Sequence, residues 1–190
     1  MNLMTKHFKP MVLALGLLAA FSSFAQPADP GAEARQQMQR LKMLEGNYSL
    51  VVYSSDDNGE TWEAGPAQQV SFRFRQNELL LEELPVELAE QGFHMNTYIT
   101  YDQYRDVFRK AAIDDIWGVM DIYHGQIVNN TLVLTNLESG TLFPVDAETW
   151  RGFRLSLPLV SGERTMLIEK TDDNGQSWQP AFRSVYSPLP

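Results

Sequence analysis

Apolar positions change their period once along this chain. Ala34, Met38, Leu41 and Leu44 fall at helical spacing, with Arg35, Gln36, Arg40 and Lys42 largely off that stripe. The spacing predicts one short N-terminal helix, opened by Asp29 as cap and Pro30 as first position, that lies on the rest of the molecule or closes one end of it. From Gly46 onward the period is two. Runs at 47–54, 69–75, 93–101, 105–113, 116–123, 131–137, 149–157, 163–170 and 181–186 are rich in β-branched and aromatic residues, with turn residues between them.

Two of the turns share one motif. Ser55-Asp56-Asp57-Asn58-Gly59-Glu60-Thr61-Trp62 recurs 116 positions later as Thr171-Asp172-Asp173-Asn174-Gly175-Gln176-Ser177-Trp178. Asn-Gly tolerates positive φ, the aspartates can hold turn amides, and strand-like residues flank both copies. Both read as Asp-box hairpins with the Trp packed beneath. Two boxes cannot supply the blades of a propeller, so sialidase-type function does not follow. A calcium loop fits poorly, since the glycine comes too early and no bidentate Glu stands at the twelfth position.

Another hairpin is expected around Gln76-Asn77, where a two-residue turn pairs Arg75 with Glu78 and Phe72 with Leu81, leaving Phe72, Phe74, Leu79 and Leu81 on one face. Asp102-Gln103-Tyr104, Asp114-Asp115, His124-Gly125 and Val160-Ser161-Gly162 are the other short turns. Nine or ten successive antiparallel strands avoid exposed edges best by closing. The expected fold is therefore all-β, an antiparallel up-and-down barrel of about 8–10 strands with one short N-terminal helix. Pattern leaves two interiors open, a hollow one that holds a small molecule and a filled one whose aromatics are core.

The first 25 residues change the reading of location. Lys6, His7 and Lys9 precede an apolar run from Met11 that ends at Ser23 and Ala25, the form of a secretory signal peptide cleaved before Gln26. The run is short for a permanent span, so no stable membrane insertion is expected after cleavage. Residues 26–45 then form a leader and the helix, and 46–190 the barrel. Export to the periplasm or beyond agrees with the absence of any requirement for thiols: the chain has no cysteine, so stability rests on packing and sheet closure. Losing Lys6 and Lys9 with the leader takes the net charge from −9 to −11, a surface that repels nucleic acid.

Leu44-Glu45-Gly46-Asn47-Tyr48 at the first strand, Thr100-Tyr101-Asp102 at a central turn and Ser184-Val185-Tyr186 near the end together resemble a lipocalin-like family of uncharacterised bacterial secreted proteins in the calycin group. The resemblance spans about residues 41 to 188. Gly46-x-Tyr48 takes the place of the family's Gly-x-Trp, with Tyr for Trp. A basic residue from the last strand covers that ring in the family, which implies Arg183 here. The resemblance implies a small barrel with an apolar pocket and no established reaction.

No catalytic constellation emerges. There is no Gly-x-Ser-x-Gly, no phosphate-binding glycine loop and no His pair at metal spacing, and no cofactor is implied. Asp121 and Tyr123 project from one strand face with His124 at the rim, the closest grouping for acid–base work, yet the apolar Met120 and Ile122 on the other face favour Asp121 turned to water. His94 starts a strand and can face the barrel mouth. Glu82 and Glu83 are neighbours on a strand and point oppositely. Aromatic rings with polar tips suit a mostly apolar pocket, and Phe72, Phe74, Tyr98 and Trp117 are the expected lining. The partner expected is a small apolar or amphipathic molecule, bound without catalysis. The alternative is a structural or protein-interaction module with a filled barrel.

Overall fold

In the computed structural model, which describes residues 29–86 and 94–190, helix α1 (Ala32–Gln39) and a 3-10 turn at Lys42–Leu44 lead into eleven strands. These are β1 (Gly46–Ser54), β2 (Glu63–Arg75), β3 (Leu80–Pro85), β4 (Met95–Asp102), β5 (Val107–Asp114), β6 (Met120–Val128), β7 (Thr131–Thr135), β8 (Phe143–Pro144), β9 (Trp150–Pro158), β10 (Arg164–Thr171) and β11 (Gln179–Pro188). Ten of them form a closed antiparallel up-and-down barrel; β8 pairs only with the start of β9. Closure joins the first strand to the last, from Tyr48 opposite Pro188 to Ser54 opposite Phe182. The signal peptide expected at 1–25 lies outside the described residues.

The helix closes one end. It begins two residues later than the cap pattern predicts: Gly31 is the N-cap, while Asp29 accepts the Gly31 amide and pairs with Arg35. Met38, Leu41 and Leu44 are fully buried in the core together with Tyr48, Phe72 and Leu81. Polar ties fix the plug to the strand turns at that end. Gln39 donates to Glu78, Gln103 to the Pro30 carbonyl, and Arg164 to the Met43 carbonyl.

That plug also explains why the hairpin after β2 differs from expectation. The turn has four residues, with Gln76, Asn77 and Glu78 all at positive φ, and it pairs Arg75 with Leu80 and Phe72 with Glu83. Glu78 is drawn to Gln39 and Lys42 of the plug, leaving Arg75 to pair with Glu82 at 2.9 Å. The register slips by two, which keeps every side chain on its expected face. The two-residue turn occurs instead at Asn129-Asn130, both at positive φ. His124-Gly125, expected as a turn, lies inside β6, and the run from Ile116 to Val119 is a loop rather than strand. The carboxylate of Asp114 holds that loop by accepting the amides of Ile116, Trp117 and Val119.

Both Asp boxes stand at the end opposite the plug, on the two hairpins that flank the closing seam, and their bonds are equivalent. Asp57 accepts from Ser55 and from the amide and hydroxyl of Thr61; Asp173 accepts from Thr171 and from the amide and hydroxyl of Ser177. Gly59 and Gly175 take φ of 93° and 84°, and each glycine lies against the indole of its own box. An arginine covers each indole: Arg183 lies 4.7 Å from Trp62 and 4.5 Å from Tyr53, and Arg154 lies 4.5 Å from Trp178. The basic cover of Tyr48 is therefore not Arg183. It is Arg164 from β10, 4.5 Å from the ring and bonded to the Tyr48 hydroxyl.

Two results are expected from the boxes. Gly59→Ala forces an L side chain into positive φ and sets its Cβ 3.0 Å from Pro180, so denaturant unfolding should shift by about 1–2 kcal/mol. For the aspartates, the bonds from Thr61 to Asp57 and from Ser177 to Asp173 pull both carboxyls from 3.8 down to about 2. A depressed folded-state value gives stability that is present above about pH 4 and lost as pH falls toward 2. Amide exchange at the box turns should therefore accelerate within that window, and Asp57→Asn should remove the first turn's share of the change. An exchange rate flat from pH 5 to 2, after correction for intrinsic chemistry, would refute the assignment.

Candidate functional site

Inward positions above the plug carry polar groups that the sequence pattern does not advertise. Register places Glu83, Thr97, Ala112 and Asp121 side by side on four neighbouring strands. One step toward the plug, Leu81, Ile99, Lys110 and Tyr123 form the next row. All eight are buried. Burial of Asp121 is a correction, since β6 turns Met120, 54 % exposed, to the outside and its acid to the inside. The shared face of Asp121 and Tyr123 is as expected.

The carboxylates are satisfied by neutral donors. Glu83 accepts from Thr97 Oγ1 and from the Tyr186 hydroxyl, each at 2.8 Å. Asp121 accepts from Asn136 Nδ2 at 3.1 and 3.2 Å and from Thr141. Asn136, fully buried, completes the junction by accepting the Phe153 amide at 2.7 Å. Burial, reinforced by Glu83, pushes the Tyr186 phenol well up; burial and then the Asp121 charge push Tyr123 up likewise. Both phenols thus stay protonated and able to donate. Burial also lowers the Lys110 ammonium, against the opposing pull of Glu83 and Asp121.

Below this tier the interior is filled. Tyr48, Phe72 and Tyr186 meet edge to face with centroids 5.6–6.2 Å apart, and Phe108, fully buried, packs on Tyr101 at 5.0 Å. Phe72 is therefore inside, in the ring cluster. Phe74 is inside but partly exposed, and its ring lies 4.7 Å beneath Lys42 at the plugged end. Tyr98 alternates with the buried Thr97 and Ile99, so its ring is on the outer face. Trp117 stands 71 % exposed on the rim loop at the Asp-box end. The four are not brought together.

His94 occupies the same rim, buried, with Nδ1 2.7 Å from Asp115, whose carboxyl is lowered by the His94 amide and ring. His124 lies 3.4 Å from Glu138. Among the described residues no group of three or more acidic or histidine side chains is placed to hold a metal ion. A recess of about 180 Å³ beside the second box is no better candidate. Its Asp172 is held by Arg151 through two bonds of 2.8 Å, and its Asp173 by the turn itself.

Sequence reasoning missed Lys110, Glu83, Asn136 and Arg164. A signal existed for the first: Phe108, Lys110 and Ala112 share the inward parity of β5, so a cation interrupts an otherwise apolar face. No protein-family model matches the chain, and no curated protein sequence matches it.

Proposed function

We propose that this is an exported, lipocalin-like binding protein whose barrel takes up one small amphipathic molecule from the Asp-box end, without catalysis. The observation that carries this reading is the buried tier of Glu83, Lys110 and Asp121 above an apolar floor. Ionisable groups are costly to bury and add little to a core that only has to pack, whereas a few polar groups in an apolar enclosure fix the orientation of a ligand. Plugging by Met38, Leu41 and Leu44 supports entry from the opposite rim.

A specific observation favours a second reading. The ring cluster of Tyr48, Phe72 and Tyr186 fills the plugged half, as a structural or interaction module would require. Titration of the purified protein with N-phenyl-1-naphthylamine separates the two. Saturable fluorescence gain at about one probe per chain, reversed by extracted lipids, is expected; no saturable binding across lipids, haem and small aromatics would leave the filled barrel. Export is tested by intact mass of the protein recovered from the cell envelope, with Gln26 as its first residue.

A further inference from the structure

Lys110 is chemically out of place. It is 5 % exposed, and among the described residues its amine makes no hydrogen bond and has no carboxylate within 4.0 Å. Glu83 and Asp121 are occupied by Thr97, Tyr186, Asn136 and Thr141, so they reach the amine only through space. Among the described residues, the side-chain nitrogens both sealed from solvent and unpaired are Arg164 Nε and Arg183 Nε. The Lys110 amine is thus a buried cationic group whose opposite charges, Glu83 and Asp121, act on it only through space. Ala112, between Thr97 and Asp121 in the next row, leaves the least side-chain bulk beside it.

A desolvated amine in an apolar enclosure favours its neutral, nucleophilic form, the usual basis of imine-forming lysines. Burial acts on Lys110 in that sense, while Lys42 at the surface is held protonated by Glu45 and Glu78. We propose that Lys110 captures a small apolar aldehyde or ketone inside the barrel as an imine. The inference rests on the reading that the interior admits a small molecule. The amine nitrogen adds to the carbonyl carbon, forming the C–N bond, and the carbonyl oxygen leaves as water with the two hydrogens of the amine. No oxidant or reductant takes part. Once protonated from solvent, the imine is a cation facing Glu83 and Asp121, which stabilise it; a ligand carboxylate in the same place would meet two like charges.

The experiment incubates the purified protein with decanal, reduces it with sodium cyanoborohydride and maps the adduct by peptide mass spectrometry, with decanol as the control that cannot condense. Lys110 should be modified at least about tenfold more than Lys42 or Lys170, as an imine-forming lysine in an enclosed site requires. Lys110→Arg and Lys110→Met should both lose that adduct. Because the deciding site map comes from the unaltered protein, a variant that folds poorly does not rescue or sink the proposal. Adducts confined to Lys42, Lys170 or the N-terminus overturn it. If they are so confined while decanal still displaces N-phenyl-1-naphthylamine, covalent capture alone fails; if neither compound binds, the binding reading fails with it.

Discussion

Gly125→Ala is expected to be among the most damaging single-methyl additions in this barrel. Gly125 sits mid-strand in β6, opposite Phe108 on one side and Leu134 on the other. A Cβ there would lie 1.9 Å from the Val133 carbonyl oxygen and 3.0 Å from the Leu134 Cα. Both are backbone atoms of a paired strand, so no side chain can swing aside. Relief requires β6 and β7 to separate, breaking ladder bonds in a closed ring where displacement passes to the next pair. Overpacking of this kind costs about 3 kcal/mol or more. Chemical denaturation should show a midpoint lowered accordingly, and a midpoint within error of the parent protein would mean that the two strands lie farther apart than described.

Asn136→Leu is expected to cost about 2–4 kcal/mol, although it replaces a fully buried polar residue with an apolar one of similar size. Asn136 uses both ends of its amide. Its Nδ2 serves the Asp121 carboxylate and its Oδ1 receives the Phe153 amide. Leucine leaves the part-buried Phe153 N–H without its acceptor and the buried Asp121 carboxylate with Thr141 in place of two kinds of donor. The paired change Asn136→Leu with Asp121→Leu removes the under-satisfied acid as well. It should recover part of the loss, leaving mainly the unsatisfied Phe153 amide. Additive losses in the double variant would show that the two residues do not act as one unit.

The two Asp boxes were the most legible part of the chain, because their chemistry is local. Ser55 to Trp62 contains nearly every group that shapes its own hairpin, and the same holds for Thr171 to Trp178. Strand parity was legible too: Asp121 with Tyr123, and Glu82 against Glu83, fall as period two requires. Which face turns inward was not. Around β6 the outer face carries Met120 and Ile122 and the inner face an acid, so hydrophobicity read locally gives the opposite answer. Gly125 misled for a related reason, since a glycine marks a turn or a close backbone approach and only the neighbour Val133 distinguishes them. The candidate site was the least legible. Glu83, Lys110, Asp121 and Tyr186 come from four strands with no fixed spacing, and only the barrel register assembles them.

Pairing of the first strand with the last sets the order in which the molecule can fold. Leu50 meets Tyr186 across 136 positions, so closing the seam directly costs about 2 kcal/mol more chain entropy than closing a hairpin of roughly a dozen residues. The hairpins on either side of that seam, β1–β2 and β10–β11, are the two that end in Asp boxes. Each can form early from its own turn and then present a finished edge. The doubled motif thus prepares both lips of the last gap to shut, and weakening either box should slow refolding more than it speeds unfolding.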